Sequence, residues 1–265
     1  MTQKILLDHH DNGVIVITFN RPETRNALDT EAMRAFGEIV TELHADPVVR
    51  VVILTGAGDT AFCAGADLVE MTQRPSADEG LAMITLMGDA LLALERLPVP
   101  VIGAINGYAL GGGGEISMAC DLRVVDANVR LGFVQAKRGL IPGWGGGQRL
   151  LRLVGYTRAM ELLLTAKQLN ADELESWGMI NRIAPAGRAL PAALEFAGEI
   201  AKLDPAVIRA MKAMLQAGLV QPYDAALMTE RALFPALWAG EARIKSTQSF
   251  ADKSDSKRKQ ESTAS

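Results

Sequence analysis

Pro100 to Asp121 reads PVIGAINGYALGGGGEISMACD, and no other stretch limits the chain so tightly. An apolar run, Val99 to Ile105, has the composition of a buried strand. It breaks at Asn106-Gly107, then loses every side chain from Gly111 to Gly114, immediately before Glu115. A glycine inside a helix or strand costs roughly 1 kcal/mol relative to alanine. Four in succession therefore predict a bare turn between a strand and a short apolar segment, Ile116 to Cys120. Such a turn lets a ligand approach the main chain. Backbone N–H groups at a helix start favour an oxygen carrying negative charge. With Glu115 at the rim, the stretch holds the parts needed to bind an oxyanion and move a proton beside it. The plain alternative is a turn that only turns, with a glutamate that only complements a helix dipole. No lysine follows the glycines, so this is not a Walker loop, and it lacks the setting of a dinucleotide fingerprint.

The rest of the chain supplies alternating strands and helices. Ile5 to Leu7 and Val14 to Phe19 read as a hairpin around Asp11-Asn12-Gly13. Asp29 is an N-cap for a helix over Thr30 to Ala45, with Met33, Phe36, Ile39, Val40 and Leu43 on one face. Val49 to Thr55 is an apolar strand. Ala61 to Leu68, AFCAGADL, is a second run of small residues that bares the backbone. Met71 to Glu79 reads as a polar, mobile loop, and Leu81 to Leu97 as a helix apolar nearly all round, hence buried. Further strands are expected at Leu122 to Val125 and Val129 to Phe133, and a third bare loop at Ile141 to Gly147, IPGWGGG. Mixed strands and helices of this kind give an α/β core. From about residue 185 the pattern is helical: Ala189 to Ala201, Pro205 to Ala217 and Tyr223 to Trp238, with Asp204-Pro205 as a capped start. The expected division is a core over 1–185, a helical region over 186–250, and a charged, disordered tail over 251–265.

Composition removes several function classes. A net charge of −4 gives no electrostatic case for nucleic acid or an anionic membrane. No apolar run approaches the ~20 residues that span a bilayer. The N-terminus, MTQKILLDHHDNG, has no signal-peptide core. The two cysteines, Cys63 and Cys120, form no disulfide framework and suit a reducing cytoplasm. The three histidines, His9, His10 and His44, have no ligand spacing, so no metal is expected. With no histidine near Glu115, a Ser-His-Asp hydrolase is not indicated.

Taken as an ordered set, NRPETRNALD (20–29), AFCAGADL (61–68), INGYALGGGGE (105–115), ACDLRV (119–124) and IPGWGGGQRLLRLVG (141–155) resemble the crotonase superfamily, the enoyl-CoA hydratases and isomerases. The resemblance runs from about Ile5 to Trp238. It implies a spiral of repeated ββα units followed by a helical C-terminal region, and homo-oligomers: trimers or dimers of trimers. In these the late helices would make subunit contacts and cover the acyl site. It implies an acyl-CoA thioester substrate and no separate cofactor, coenzyme A being part of the substrate. Carried over by position, Ala64 and Gly112 would supply the two N–H groups that hold the thioester oxygen. Glu115 would be the acid/base. Ala66, Asp67 and Leu68, with Ala64, would line the coenzyme A path, and Gly111 and Trp144 the acyl site.

One position departs from the hydratase pattern. Hydratases of the superfamily carry a second glutamate where this chain reads Gly132-Phe133-Val134-Gln135. Gln135 exchanges no proton near neutral pH, so Glu115 alone would serve both acid and base. The altered segment (Phe133, Val134, Gly139, Pro142, Trp144), with Glu230, Arg231, Leu233 and Trp238, is similar to ethylmalonyl-CoA decarboxylases. There a single proton delivery suffices, and Gln135, Lys137 or Arg138 could orient the leaving carboxylate. Lys137 and Arg138 read more readily as a solvated loop. A third reading is a non-catalytic acyl-CoA-binding member. RNA binding finds no support in the acidic balance.

Overall fold

The computed structural model describes residues 3–248 and 250. Two compact units meet in the chain between Lys202 and Leu203. The first begins with an antiparallel hairpin, β1 (Ile5–His9) and β2 (Val14–Phe19), in which Ile5 lies opposite Phe19. α1 (Thr30–Ala45) follows, capped by the Asp29 carboxylate, which accepts from the Ala32 N–H.

The chain then repeats one pattern. β3 (Val51–Gly56) and β4 (Ala61–Cys63) lead to α2 (Leu68–Thr72) and α3 (Ala77–Glu95). β5 (Val101–Ile105) and β6 (Tyr108–Leu110) lead to α4 (Gly112–Ala119). β7 (Leu122–Asp126) and β8 (Arg130–Gly132) lead to α5 (Gly146–Val154). The first strand of each repeat joins a large sheet, ordered β1-β2-β3-β5-β7-β10, where β10 is Arg182–Ala184. The second joins a small one, ordered β4-β6-β8-β9, where β9 is Gln168–Leu169. From β2 onward every pairing in the large sheet is parallel. This is the expected spiral of ββα units: each turn of chain adds one strand to each sheet and one helix, or in the first repeat two, beside them.

The strands β2, β3, β5 and β7 at the centre of the large sheet are buried on both faces, as parallel sheets are. Along β3, Val52 and Leu54 face the main core with Phe36, Met33 and Leu91. Val51 and Ile53 face a second core under α8 (Ala189–Ala201). Ala189, Ala193, Ala197 and Ala201 are buried and recur every fourth residue, so one smooth stripe lets α8 lie close on the strands. α8 therefore belongs to the core unit, and the division expected near residue 185 falls at Lys202 instead. In the second unit α9 (Pro205–Val220) starts at the predicted Asp204-Pro205 cap and packs against α10 (Tyr223–Trp238). The remaining helices of the first unit are α6 (Tyr156–Thr165) and α7 (Ala171–Ser176). The tail expected over 251–265 lies outside the described residues. Among the described residues no helix is long and apolar enough to cross a membrane.

Three local expectations are corrected. The segment read as a mobile loop, Met71 to Glu79, is the end of α2, a four-residue connection over 73–76 and the start of α3. Ser76 caps it: its hydroxyl accepts from the Glu79 N–H, while the Glu79 carboxylate accepts from the Ser76 N–H. The helix expected to be buried all round is not, since Leu81 is 59% exposed and the buried stripe is Met87, Ala90, Leu91 and Leu94. Nor are the glycines outside regular structure. Gly112, Gly113 and Gly114 form the first turn of α4. Packing overrides propensity there, because the turn is pressed onto neighbouring backbone. A Cβ on Gly113 would overlap the Cys63 carbonyl, and one on Gly114 would lie 3.0 Å from the Gly132 carbonyl oxygen.

Candidate active site

Glu115 sits in the first turn of α4 and is 2% exposed. Four donors converge on its carboxylate. Oε2 accepts from the N–H of Trp144 (2.8 Å) and of Gly146 (2.9 Å). Oε1 accepts from Gln135 Nε2 (2.9 Å) and, at 3.3 Å, from the N–H of Gly143. Burial pushes the Glu115 pKa above the usual carboxylate value, and the four donors pull partly against it. Gly146 has to be glycine for this contact, since a Cβ would overlap the Glu115 side chain. Arg149 ties the loop down: it donates to the Trp144 carbonyl (2.8 Å) and to Glu95 on α3 (2.8 Å).

The N-terminus of α4 is set by Gly111, whose φ of +56° and ψ of −115° exclude most side chains. The Gly111 N–H is not available to a ligand, because it donates to the Gly132 carbonyl (2.9 Å). The Gly112 N–H, the first of the helix, has no partner among the described residues. The ring of Trp144, itself only 3% exposed, packs against Gly112, and a Cβ there would collide with it.

Across from α4 runs Cys63 to Asp67. Gly65, with φ +96°, brings this segment so near that a Cβ on it would fall 2.8 Å from the Gly112 nitrogen. The N–H groups of the segment have different fates. Ala64 donates to the Arg25 carbonyl (3.0 Å), so the donor expected from Ala64 is already spent. Leu28 bridges to Ala66: the Leu28 N–H donates to Gly65 O (2.8 Å) and the Asp67 N–H to Leu28 O (2.9 Å). In an extended strand successive N–H groups point to opposite sides. The Ala66 N–H therefore points away from Leu28, and it has no partner among the described residues. The donor pair facing this gap is Ala66 and Gly112.

Asp67 was expected to line a ligand path, yet its carboxylate is fully engaged. Oδ1 caps α2 by accepting from Val69 N (3.0 Å) and Glu70 N (3.4 Å), and Oδ2 pairs with Arg21 at 2.9 Å. These partners hold its pKa below the usual carboxylate value against the cost of burial. Leu68, the first residue of α2, is 44% exposed. Lys137 and Arg138 are exposed on the single 3-10 turn that begins at Gln135.

The NRPETRNALD segment carries a role the sequence did not disclose. It grips the bare loop from behind. Asn26 is 1% exposed, with left-handed φ +57°, and donates to the carbonyls of Ala57 (3.0 Å) and Ala61 (2.7 Å). Arg21 donates to Ala27 O (2.6 Å) as well as pairing with Asp67. ACDLRV has a similar function at the other end of α4. Buried Arg123 donates to the carbonyls of Ser117 (3.1 Å), Cys120 (2.6 Å) and Met179 (2.5 Å). The clue in both segments was a charged or amide residue inside an otherwise apolar or turn-forming stretch.

The enoyl-CoA hydratase/isomerase family model matches residues 9–261. The chain belongs to that family. Within the family, the short-chain-enoyl-CoA hydratase of Clostridium acetobutylicum is 37% identical, covering 92% of this chain and 93% of its own. The crotonyl-CoA hydratase of Syntrophomonas wolfei is 35% identical over 95% and 96% respectively. The crystal structure of an enoyl-CoA hydratase from Bacillus anthracis superposes with a TM-score of 0.90 at 35% identity, covering 95% and 97% of the two chains. Among the described residues no cluster of His, Cys, Asp and Glu forms a metal-binding group.

Proposed function

We propose that this chain is an acyl-CoA enzyme that stabilises a thioester enolate between the N–H groups of Ala66 and Gly112, with Glu115 as its acid/base. The observation that carries the reading is the pairing of two unspent, adjacent backbone donors with one buried carboxylate of raised pKa on the same helix turn. Two donors aimed at a developing oxyanion supply electrostatic stabilisation, each about 3 kcal/mol by the usual cost of losing one. Membership of the hydratase/isomerase family supports the substrate class.

The reaction that fits best is addition of water to an enoyl thioester by one carboxyl. Glu115 takes a proton from water as the hydroxyl oxygen bonds to the β-carbon. The electron pair moves to the thioester oxygen, giving the enolate. Glu115 then returns the proton to the α-carbon on the same face. Water is consumed, and the carboxylate ends as it began.

Gln135 keeps a second reading open, since decarboxylation of a malonyl-type thioester asks for only one proton. The amide geometry bears on it: one of the two Gln135 Nε2 hydrogens is spent on Glu115, and the unpartnered Oε1 is an acceptor, which repels a carboxylate. The test is a parallel assay on crotonyl-CoA, ethylmalonyl-CoA and methylmalonyl-CoA, with Glu115→Gln as control. Hydration abolished by Glu115→Gln supports the leading reading. Release of CO₂ without hydration replaces it by the decarboxylase. Tight binding with no turnover leaves a binding protein.

A further inference from the structure

Behind the turn that grips Glu115 lies a largely buried arginine. The Arg149 guanidinium bonds in two directions: Nη1 donates to the Trp144 carbonyl and Nε to Glu95 Oε2, both at 2.8 Å. The carbonyl it takes matters. The Trp144 C=O belongs to the peptide between Trp144 and Gly145. The peptides on either side of that one carry the N–H groups of Trp144 and Gly146, and both of these donate to Glu115 Oε2. Arg149 therefore fixes the unit between the two that fix the carboxylate. Gly145 makes the room, since a Cβ on it would stand 2.8 Å from Arg149 Nη1. Glu95 is the last residue of α3, and Ile84 of the same helix meets the other end of the turn, where a Cβ on Gly143 would lie 2.7 Å from Ile84 Cγ2. α3 thus backs the turn at both ends. Arg149 is the fourth residue of α5, close to a helix start, where a cation is electrostatically disfavoured. The helix does not call for an arginine there; the carbonyl and Glu95 do. An arginine fork reaches two acceptors at once in fixed geometry, which a lysine does not.

We propose that Arg149 is a positioning residue for Glu115: by tying the Trp144 carbonyl to α3 it keeps the N–H groups of Trp144 and Gly146 on Oε2, so that the carboxylate holds its place. What this does for turnover rests on the reading of Glu115 as acid/base. Arg149 makes no bond to Glu115 itself. The charged side chains around the turn are Arg149 and Arg152 on α5, Glu95 on α3, exposed Lys137 and Arg138 on the 3-10 turn, and Arg123 beyond the far end of α4. Among the described residues none of them bonds to the Glu115 carboxylate, whose partners are Gln135 and the three N–H groups. Without Arg149 the turn is free to swing, the donors loosen, and burial acts on Glu115 with less to oppose it. Glu115 then keeps its proton to higher pH.

The test follows Glu115 directly. The full-length chain is labelled with carbon-13 at its glutamate carboxyls, and the Glu115 signal is assigned by its absence from Glu115→Gln. Its titration is compared between wild type and Arg149→Met, beside the pH profile of kcat/KM on crotonyl-CoA. In Arg149→Met the Glu115 midpoint and the acid limb should both rise by about one pH unit, the scale of one lost charge-assisted hydrogen bond, with KM within about twofold. An arginine that only stabilises the fold would lower the folded fraction and leave both midpoints in place. An unmoved midpoint in folded Arg149→Met therefore overturns the proposal. Combining Arg149→Met with Glu95→Met removes one charge of each sign, and the rise should persist. Its disappearance would mean that Arg149 acts by charge and not by position, which overturns the proposal too. Arg149→Lys, a single ammonium in place of the fork, should show part of the rise. Where Arg149→Met does not fold, an unmoved midpoint in Arg149→Lys overturns the proposal equally. A midpoint that rises in a protein unable to turn over crotonyl-CoA upholds the positioning and removes the acid/base reading instead.

Discussion

Gly111–Gly114 and Gly143–Gly146 are two glycine-rich turns of the same domain, each beside Glu115, and they use their backbone differently. In the first, the Gly112 N–H has no partner among the described residues at the start of α4. In the second, the N–H groups of Gly143, Trp144 and Gly146 all donate to the Glu115 carboxylate. One turn offers a donor to a ligand, and the other builds a socket for a side chain. The same contrast recurs two residues apart in the facing segment, where the Ala64 N–H is spent on Arg25 and the Ala66 N–H is not. Removal of side chains is thus a sign of close approach, but it does not say whether the approaching group is protein or substrate.

The largest effect expected from this comparison is at the shared carboxylate. Glu115→Gln should lower turnover of crotonyl-CoA about 10³-fold with little change in KM, the usual scale for a lost general acid/base. A loss below tenfold would mean that Glu115 is chiefly a keystone for the second turn, and the socket would then be structural.

The facing pair gives the next effect. Replacing a single amide by an ester removes one N–H and leaves the side chain alone. At residue 66 it should cut turnover about 100-fold or more, with the melting temperature nearly unchanged. At residue 64 it should cost about 1 kcal/mol of stability, through the bond to Arg25, and leave turnover within threefold. The reverse pattern would restore Ala64 as the oxyanion donor.

Sequence alone made the fold plain and the site only partly so. Asp29, Asp204 and the apolar run Val14–Phe19 after Asp11-Asn12-Gly13 mark their elements because caps, turns and short apolar runs are local, and each holds in the structure. The glycine run misled, since propensity puts glycine outside helices while the nearness of Cys63, Trp144 and Gly132 puts it inside one. That nearness depends on chain far away in sequence. Which of Ala64 and Ala66 keeps its donor was equally hidden, being decided by the carbonyl of Arg25 some forty residues earlier. Asp67 looked like a ligand residue because it stands in the bare loop. Its capping of α2 was readable from the Asp-Leu-Val-Glu order, whereas its pairing with Arg21 was not.

Within the second turn, neighbouring glycines separate socket from spacer. Gly146→Ala drives a methyl into Glu115 and should destabilise the fold by about 1–3 kcal/mol, as overpacking does. Gly147→Ala meets Pro142 at 3.7 Å and Leu163 at 4.0 Å, both ordinary contacts, so it should be neutral or slightly stabilising through helix propensity. Urea midpoints of the two variants would decide it. Equal values would mean that the turn moves freely and holds Glu115 loosely.

The smallest effect is the most specific to the socket. The folded-state pKa of Glu115 is raised, mainly by burial, so the folded protein holds this proton to higher pH than the unfolded chain does. Between the two pKa values the folded state binds more protons, and stability falls as pH rises through that window. The contribution is greatest below the ordinary glutamate value and gone above the folded one. Glu115→Gln removes the titration but not the shape. Its stability relative to wild type should therefore shift in the variant's favour between pH 4 and pH 7, whatever the offset at pH 4. The acid limb of kcat/KM in the wild type should lie above pH 4.5 for the same reason. A relative stability that moves the other way would mean that the four donors outweigh burial, leaving Glu115 a low-pKa carboxylate, tightly held and poorly suited to pass a proton on.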